Sequence, residues 1–338
     1  MAKPKKNNDD SQENTEGLSE QELKIQQALS AIRKQFGDDA IQRVGGTDAM
    51  KVKCNTTGIS TLDLALGGGL PEGRIIEIYG GNSSGKTSLV LEFIAQMQSQ
   101  GKVAAFIDVE HALDPAWAAK LGVNTDDLLI SQPNSGEEAL EIMEALVRTQ
   151  YVHVVVLDSV AALVTKKELE GDMGDAQMGG QAKLMSQALR KLTASISKSS
   201  TTAIFINQIR DNIGGYGAPT VTSGGKGLPF YATIRMELKR IETIKEGDVD
   251  VANRVKIKVV KNKIAPPFRT AEYDLRFDSG IDKLKNVLEH AIDLKLIEKG
   301  GAWYNYGDKK AQGMPRLKEL FINDPELYND LLNKIKSN

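Results

Sequence analysis

Two features of the sequence predict an α/β protein with a mainly parallel, twisted sheet flanked by helices. A helical arm precedes this core and a small α+β domain follows it. The first feature is an apolar run, Arg74-Ile75-Ile76-Glu77-Ile78-Tyr79, that leads into Gly80-Gly81-Asn82-Ser83-Ser84-Gly85-Lys86-Thr87. Beyond that glycine-rich stretch, from Ser88 to Met97, apolar residues recur at helical spacing. The second is the alternation that follows, with strand patterns at 102–109, 152–158 and 202–208 separated by helical patterns near 137–149 and 181–197. Strands alternating with helices of this length build a parallel sheet covered on both faces.

At 338 residues the chain suffices for one large domain with additions, or two of ordinary size. Lysine and arginine number 43 against 45 acids, a formal charge of −2, so any nucleic-acid surface has to be local. One cysteine, Cys54, excludes an intrachain disulfide and a multi-cysteine metal site, and suits a small residue in or near the core. No run approaches the length of a membrane-spanning helix and the N-terminus has no apolar signal segment, so a soluble cytoplasmic protein is expected.

Residues 1–19 are rich in Lys, Asn, Asp, Gln and Glu with almost nothing apolar, a composition expected to stay disordered. From Glu20, apolar Leu23, Ile25, Ala28, Leu29, Ile32 and Phe36 mark one amphipathic helix that breaks at Gly37. One such helix is too little for a domain and has to pack on its own core or on another subunit; the arm is assigned to 20–48. A turn-rich lead-in, 64–74, precedes the first core strand. Further strands are expected at 233–239, 254–261 and 271–277, closing a core of 49–282. From about Leu284 short helices return, with an aromatic cluster at Trp303, Tyr304 and Tyr306, and 283–338 is assigned to a C-terminal domain.

The stretch 80–87 fits G-x-x-x-x-G-K-[ST] between a strand and a helix, the context that makes the pattern a phosphate site. Glycines let backbone N–H groups turn inward, and the helix N-terminus adds partial positive charge. Lys86 is expected on the β- and γ-phosphates and the Thr87 hydroxyl on Mg²⁺, so the chain is expected to bind a nucleoside triphosphate. A glycine turn without a ligand is the plain alternative. Val154-Val155-Val156-Leu157-Asp158 ends a buried strand in a carboxylate beside the Mg²⁺ shell, although an Asp there is often just a helix cap. Phe106-Ile107-Asp108-Val109-Glu110-His111 offers Glu110 as the group that orients or deprotonates water. Histidines 111, 153 and 290 show no metal-ligand spacing and suit structural roles. Ile204-Phe205-Ile206-Asn207-Gln208-Ile209-Arg210 ends a third strand in an amide that could sense the γ-phosphate.

Two glycine-bearing loops follow, about 168–183 and 210–228. Single-strand binders need exposed backbone N–H groups, basic residues and flat side chains against bases. Tyr216, Lys226, Lys183 and Arg190 supply these, although composition alone fits disordered surface loops as well.

These segments together resemble the bacterial RecA recombinase family over about residues 20–313. The resemblance is carried by 80–87, by Ala105 to Asp108 with Glu110-His111-Ala112-Leu113-Asp114-Pro115, and by Val156-Leu157-Asp158-Ser159-Val160-Ala161-Ala162-Leu163. Met185-Ser186-Gln187-Ala188-Leu189-Arg190-Lys191, the Gln208 strand and Val259-Val260-Lys261-Asn262-Lys263-Ile264-Ala265 are specific to that family among P-loop ATPases. The resemblance implies an ATP- and Mg²⁺-dependent helical filament on single-stranded DNA that pairs homologous duplex and exchanges strands. It further implies self-cleavage of a LexA-type SOS repressor and loading by recombination mediators. Residue by residue, it implies that Glu110 activates water and Asp158 acts on Mg²⁺. Gln208 would couple the γ-phosphate to the DNA loop, and Lys261 and Lys263 would reach ATP from the neighbouring subunit. Phosphate-loop contacts would run through Ser88, with Asp114, Trp117 and Phe277 at the nucleotide. Met178, Ser186, Arg190, Ile213, Gly224 and Gly225 would contact DNA, the helix at 20–36 would pack on the adjacent protomer, and Lys299 would recruit duplex.

Some features depart from the family pattern. Gly81-Asn82 replaces Pro-Glu, Trp117 and Phe277 replace tyrosines, and the second DNA loop is one residue short. The end at Ile335-Lys336-Ser337-Asn338 is without an acidic tail, which implies weaker self-inhibition of duplex binding, and the polar N-terminal extension is atypical. A ring-forming motor sharing only the nucleotide core, or a non-hydrolysing DNA scaffold, would keep the phosphate loop. The Lys261–Lys263 pair speaks against the first, and Glu110, Asp158 and Gln208 together speak against the second.

Overall fold

The computed structural model describes residues 19–41, 52–172, 179–211 and 220–337. The chain divides into two units, residues 1–52 and 53–338. In the first, the expected helix forms over Glu20–Phe36. Ser19 and Glu22 close a reciprocal capping box at its start, and Gly37 ends it at φ 97°, a backbone geometry that favours glycine. None of its residues is buried. The disorder assigned to 1–19 lies outside the described residues, apart from that capping Ser19.

The second unit is built on a ten-stranded sheet. Six strands run parallel, in the order Ile234–Glu246, Ile75–Gly80, Thr202–Asp211, Val152–Asp158, Val103–Asp108 and Leu129–Ser131. Antiparallel strands Val249–Asn262, Thr270–Arg276 and Gly280–Ile281 extend one edge, and Thr220–Thr222 pairs back on the end of Thr202–Asp211. The three later strands expected from the pattern are all present. The first two are longer than expected, because they join as one hairpin through a tight turn at Gly247 (φ 61°).

Continuous apolar runs are what a strand covered on both faces requires, and successive side chains go to opposite sides. Val154 and Val156, with Ile204 and Ile206, join a core beneath the helix Lys86–Gln98. Val155 and Leu157, with Ala203 and Phe205, join a second core beneath the helices Gly136–Arg148 and Gly180–Ser197. Each fully buried Val, Leu or Ile contributes roughly 1.5–3 kcal/mol, so the two layers fix the strand ends where the polar residues begin.

The small α+β domain expected after the core is present, but past the helix Lys283–Asp293 its strands stand where the residue pattern reads as short helices. Glu298–Gly300, Trp303–Tyr306 and Lys309–Gln312 form an antiparallel three-stranded sheet, followed by helices Gly313–Asn323 and Pro325–Ser337. The aromatic cluster is its central strand, with Tyr304 and Tyr306 buried and the Tyr306 ring 5.5 Å from Phe321. The helix Ser60–Leu66, which runs into the start of the turn-rich lead-in, docks on Lys283–Asp293 through Asn286.

Candidate functional site

The phosphate loop leaves the carboxyl end of Ile75–Gly80 and enters the helix Lys86–Gln98 through Gly85, at φ 87°. The loop's first glycine is sterically required, since a Cβ on Gly80 would lie 2.3 Å from the Leu238 carbonyl oxygen. Gly81, Asn82 and Ser83 are exposed, whereas Ser84 is buried with no hydrogen-bond partner for its hydroxyl. Lys86 folds back over the loop, donating to the carbonyls of Gly81 (2.8 Å) and Gly80 (3.3 Å). Burial pulls its ammonium below the usual lysine range, against the nearby carboxylates Asp158 and Glu110.

Thr87, the second residue of the helix, donates its hydroxyl to Asp158 at 2.7 Å. Asp158 ends its strand opposite Asp108, and burial first, then Glu110 and Asp108, push its carboxyl up to about 6. The Thr87 hydrogen bond and Lys86 act the other way without restoring the ordinary value. A buried carboxylate beside a hydroxyl is a pair of hard oxygen donors of the kind that suits Mg²⁺. Among the described residues no cluster of three or more His, Cys, Asp or Glu could hold a metal by itself. That fits Mg²⁺ held by one carboxylate, one hydroxyl and phosphate oxygens.

Glu110 sits two residues beyond the end of Val103–Asp108, its N–H and that of Val109 both donating to the Asp158 carbonyl. Its Oε1 accepts from the Gln208 amide at 3.1 Å and from the Ser159 hydroxyl. The structure thus brings together Lys86, Thr87, Asp158, Glu110 and Gln208 at adjacent strand ends. Ser159 and Asp108 stand in the sequence motifs, which give neither a role. Asp108 anchors the turn after its strand, accepting from the N–H groups of Ala112 and Leu113 and from Gln132. Parallel apolar runs that each end in Asp were the signal for that pairing. Asp114 accepts from Ala116 N–H and caps the helix Pro115–Lys120. Trp117 donates from Nε1 to Ser88 at 3.1 Å, which ties that helix to the phosphate-loop helix. Phe277 is exposed just past Thr270–Arg276, its N–H on the Val251 carbonyl.

Lys261 and Lys263 stand apart from this group. Lys261 lies opposite Arg235, which in turn lies opposite Glu77, three residues before Gly80. That places Lys261 two strands across and about 10 Å short of the loop along the strand direction. Its ammonium donates to the carbonyls of Pro229 and Phe230, and burial together with Lys263 and Arg235 lowers its pKa.

On the other flank, Lys183, Ser186 and Arg190 follow one another at three- and four-residue spacing on Gly180–Ser197, one helix face. The return of the second loop packs on that helix: a Cβ on Gly225 would lie 2.8 Å from Ala182 and one on Gly227 3.1 Å from the Ser186 hydroxyl. Gly224 is buried and its N–H donates to Gln181, while Lys226 is exposed before the helix Gly227–Tyr231. Met178, Ile213 and Tyr216 lie outside the described residues. Lys299 is exposed on Glu298–Gly300, 5.7 Å above the Tyr304 ring. No helix among the described residues is long and apolar enough to cross a membrane.

The family model for the RecA N-terminal domain matches residues 23–282, and that for the RecA C-terminal domain matches 285–338. Protein RecA of Leptospira biflexa is 54% identical over 316 residues, covering 92% of this chain and 82% of the relative. Protein RecA of Geobacter metallireducens is 53% identical over 320 residues, covering 94% of each. Protein RecA of Ruminococcus albus is 50% identical over 338 residues, covering 99% of this chain and 85% of the relative. A crystal structure of the RadB recombinase shares the fold at a TM-score of 0.52, with 21% identity over 67% of this chain and 98% of that one. With the sheet, the phosphate loop and these relatives agreeing over nearly its whole length, the chain belongs to the RecA family of recombinases, which are nucleotide-binding, DNA-dependent ATPases.

Proposed function

We propose that this protein assembles on single-stranded DNA as a helical filament, pairs it with homologous duplex, and exchanges strands with DNA-gated hydrolysis of ATP. The observation that carries this reading is the hydrogen bond from Gln208 to Glu110. Gln208 belongs to the strand Thr202–Asp211, which runs on into the second glycine loop, so one side chain joins the DNA side to the hydrolytic carboxylate. With Gln208 and Ser159 both donating to Oε1, the Glu110 carboxylate is held in one orientation, and release of those bonds lets it turn to take a proton from water. Occupancy of the loop by DNA, moving Gln208, supplies that release.

The remaining roles follow from the residues. Lys86 exchanges its two carbonyl partners for the β- and γ-phosphates, and Ser84 and the exposed loop N–H groups add donors. Thr87 and Asp158 hold Mg²⁺ between them. Bound there, Mg²⁺ would offset charge on the phosphate oxygens and on the buried Asp158 carboxylate. Trp117 and Phe277 offer apolar faces to the base. Lys183, Ser186, Arg190, Gly224, Gly225 and Lys226, with Met178, Ile213 and Tyr216, contact the single strand, and Lys299 recruits duplex. Lys261 and Lys263, too far from their own phosphate loop, serve that of a neighbouring subunit, as an arginine finger in trans does. The helix Glu20–Phe36, with no buried residue of its own, covers its apolar stripe on that neighbour. A cytoplasmic location, action on a LexA-type repressor and loading by mediators complete the reading.

The test is phosphate release with and without single-stranded DNA, across salt, for the parent and Glu110→Gln. The parent is expected to respond strongly to DNA. Glu110→Gln keeps the hydrogen bonds and the DNA affinity while hydrolysis falls on the order of 10²–10⁴-fold, the usual worth of a general base. Hydrolysis indifferent to DNA in the parent overturns the reading.

A further inference from the structure

The ion pair beneath the phosphate-loop strand is not used by the mechanism above. Glu77 is wholly buried, and Arg235 donates to its Oε2 from Nε at 2.5 Å. Its other oxygen, Oε1, accepts from the Asn207 amide at 3.0 Å. Asn207 is itself wholly buried, and its polar atoms reach three different places. Nδ2 donates to Glu77 and to the Ser223 carbonyl, also at 3.0 Å, and Oδ1 accepts the Gln208 N–H at 2.9 Å. An amide has two donor hydrogens, and both are committed. Because side chains alternate along a strand, Gln208 turns toward Glu110 while Asn207 turns toward Glu77 and the returning loop.

Ser223 and Gly224 are therefore gripped from two sides. Asn207 holds the Ser223 carbonyl, and Gln181 accepts the Gly224 N–H at 3.1 Å. Gln181 also donates to the Val160 carbonyl at 2.7 Å, two residues past Asp158. Buried polar atoms held by fixed partners transmit a shift instead of absorbing it. A movement of Ser223 has to break the bond to Asn207 or drag the strand end that carries Gln208.

We propose that Asn207, seated on the buried Glu77–Arg235 ion pair, is a positioning residue that carries displacement of the second glycine loop to Gln208 and so to Glu110. The proposal rests on the reading above that DNA occupies this loop. Glu77 is the seat: with both oxygens taken by Arg235 and Asn207, it fixes the orientation in which the Asn207 amide donates to Ser223 and accepts from Gln208.

The test exchanges the two polar groups. In the double variant Asn207→Asp/Glu77→Gln the net charge is unchanged and the amide at 77 donates to the carboxylate at 207, but nothing at 207 can donate to Ser223. Hydrolysis without DNA and nucleotide affinity are expected within about twofold of the parent, while stimulation by single-stranded DNA falls about tenfold or more, within the usual range of coupling between sites. Glu77→Gln alone keeps a side-chain oxygen at 77 to accept from the Asn207 amide, so Asn207 keeps its orientation and its hold on Ser223, and the DNA response is expected to stay. Full stimulation in the double variant overturns the proposal. So does a loss shared in equal proportion by nucleotide binding and DNA-free hydrolysis, or a loss as large in Glu77→Gln alone. Where the double variant lacks a thermal transition, amide hydrogen exchange of the parent decides. Protection at 223–226 and at Gln208 changing together on adding DNA supports the coupling, and changing independently overturns it. A parent that ignores DNA overturns the underlying reading instead, so the two failures are told apart.

Discussion

At the scale of single residues, burial decides what each titratable group can do. His290 is the instructive case outside the nucleotide site, since the sequence marks it only as one of three scattered histidines. Its ring is buried on the helix Lys283–Asp293, with Nδ1 and the Ser60 hydroxyl 2.5 Å apart and Nε2 without a partner. Burial lowers its pKa below the ordinary 6.5, with Asp293 pulling weakly the other way. Asp63, Arg269, Lys283 and Tyr328 share the cavity it lines, so both signs of charge face it. A folded pKa below the unfolded one means that the unfolded chain binds more protons in the interval between them. Stability from the neutral ring is complete above 6.5 and is lost as pH falls from 6.5 toward the lowered value. His290→Asn keeps an acceptor for Ser60 and cannot titrate. Denaturant midpoints between pH 7.5 and 5.5 are expected to fall more steeply for the parent than for this variant; equal slopes would remove His290 as the cause.

At the scale of elements, the phosphate loop shows how two adjacent glycines can have unrelated reasons. The motif demands Gly80, and the structure supplies the cause: a Cβ there meets the Leu238 carbonyl oxygen at 2.3 Å and the Ser84 hydroxyl at 2.8 Å. Gly81 has open space around an added Cβ and no left-handed backbone angle. Gly80→Ala is therefore expected to cost about 1–3 kcal/mol through backbone displacement and to weaken nucleotide binding at least about tenfold, by moving the loop off its neighbouring strand. Gly81→Ala is expected to leave nucleotide affinity near the parent's and to stabilise by about 0.4–1 kcal/mol, through the entropy of the unfolded chain. Thermal unfolding with nucleotide titration separates the two, and equal damage from both would mean that loop looseness itself matters. Much of the element scale was legible beforehand, because apolar runs ending in Asp158, Asp108 and Gln208 announce strands buried on both faces. The positions of the strands in the C-terminal α+β domain were not. Its strands are only three or four residues long, and a period of two cannot establish itself over Glu298–Gly300 or Lys309–Gln312. The Glu77–Arg235 pair was equally hidden, since its members are far apart in sequence and meet only through the strand register.

At the scale of the whole molecule, the sheet separates residues that the family resemblance groups around one nucleotide. Glu110, Lys86 and Asp158 gather at the carboxyl ends of the parallel strands, whereas Lys261 is level with Glu77, and its ammonium is bound to Pro229 and Phe230. No rotamer of Lys261 bridges both the two-strand offset and the shortfall along the strand, so in the proposed reading a second subunit has to supply this lysine. A head-to-tail interface, in which one surface meets a different surface of the next copy, generates an open filament and would bring those lysines from outside. Complementation tests this directly. Lys261→Ala and Glu110→Gln are each expected to lose DNA-stimulated hydrolysis when assembled alone. In an equal mixture, an intact site forms wherever the Glu110 of a Lys261→Ala subunit faces the Lys261 of a Glu110→Gln subunit. Random assembly makes that about one interface in four, so roughly a quarter of the parent activity should return. If Lys261 acted within its own chain, every subunit in the mixture would carry one lesion and activity would stay at the level of the separate variants. Recovery that rises with the fraction of each partner as the product of the two, with a maximum at equal amounts, is the signature of a lysine supplied across the interface.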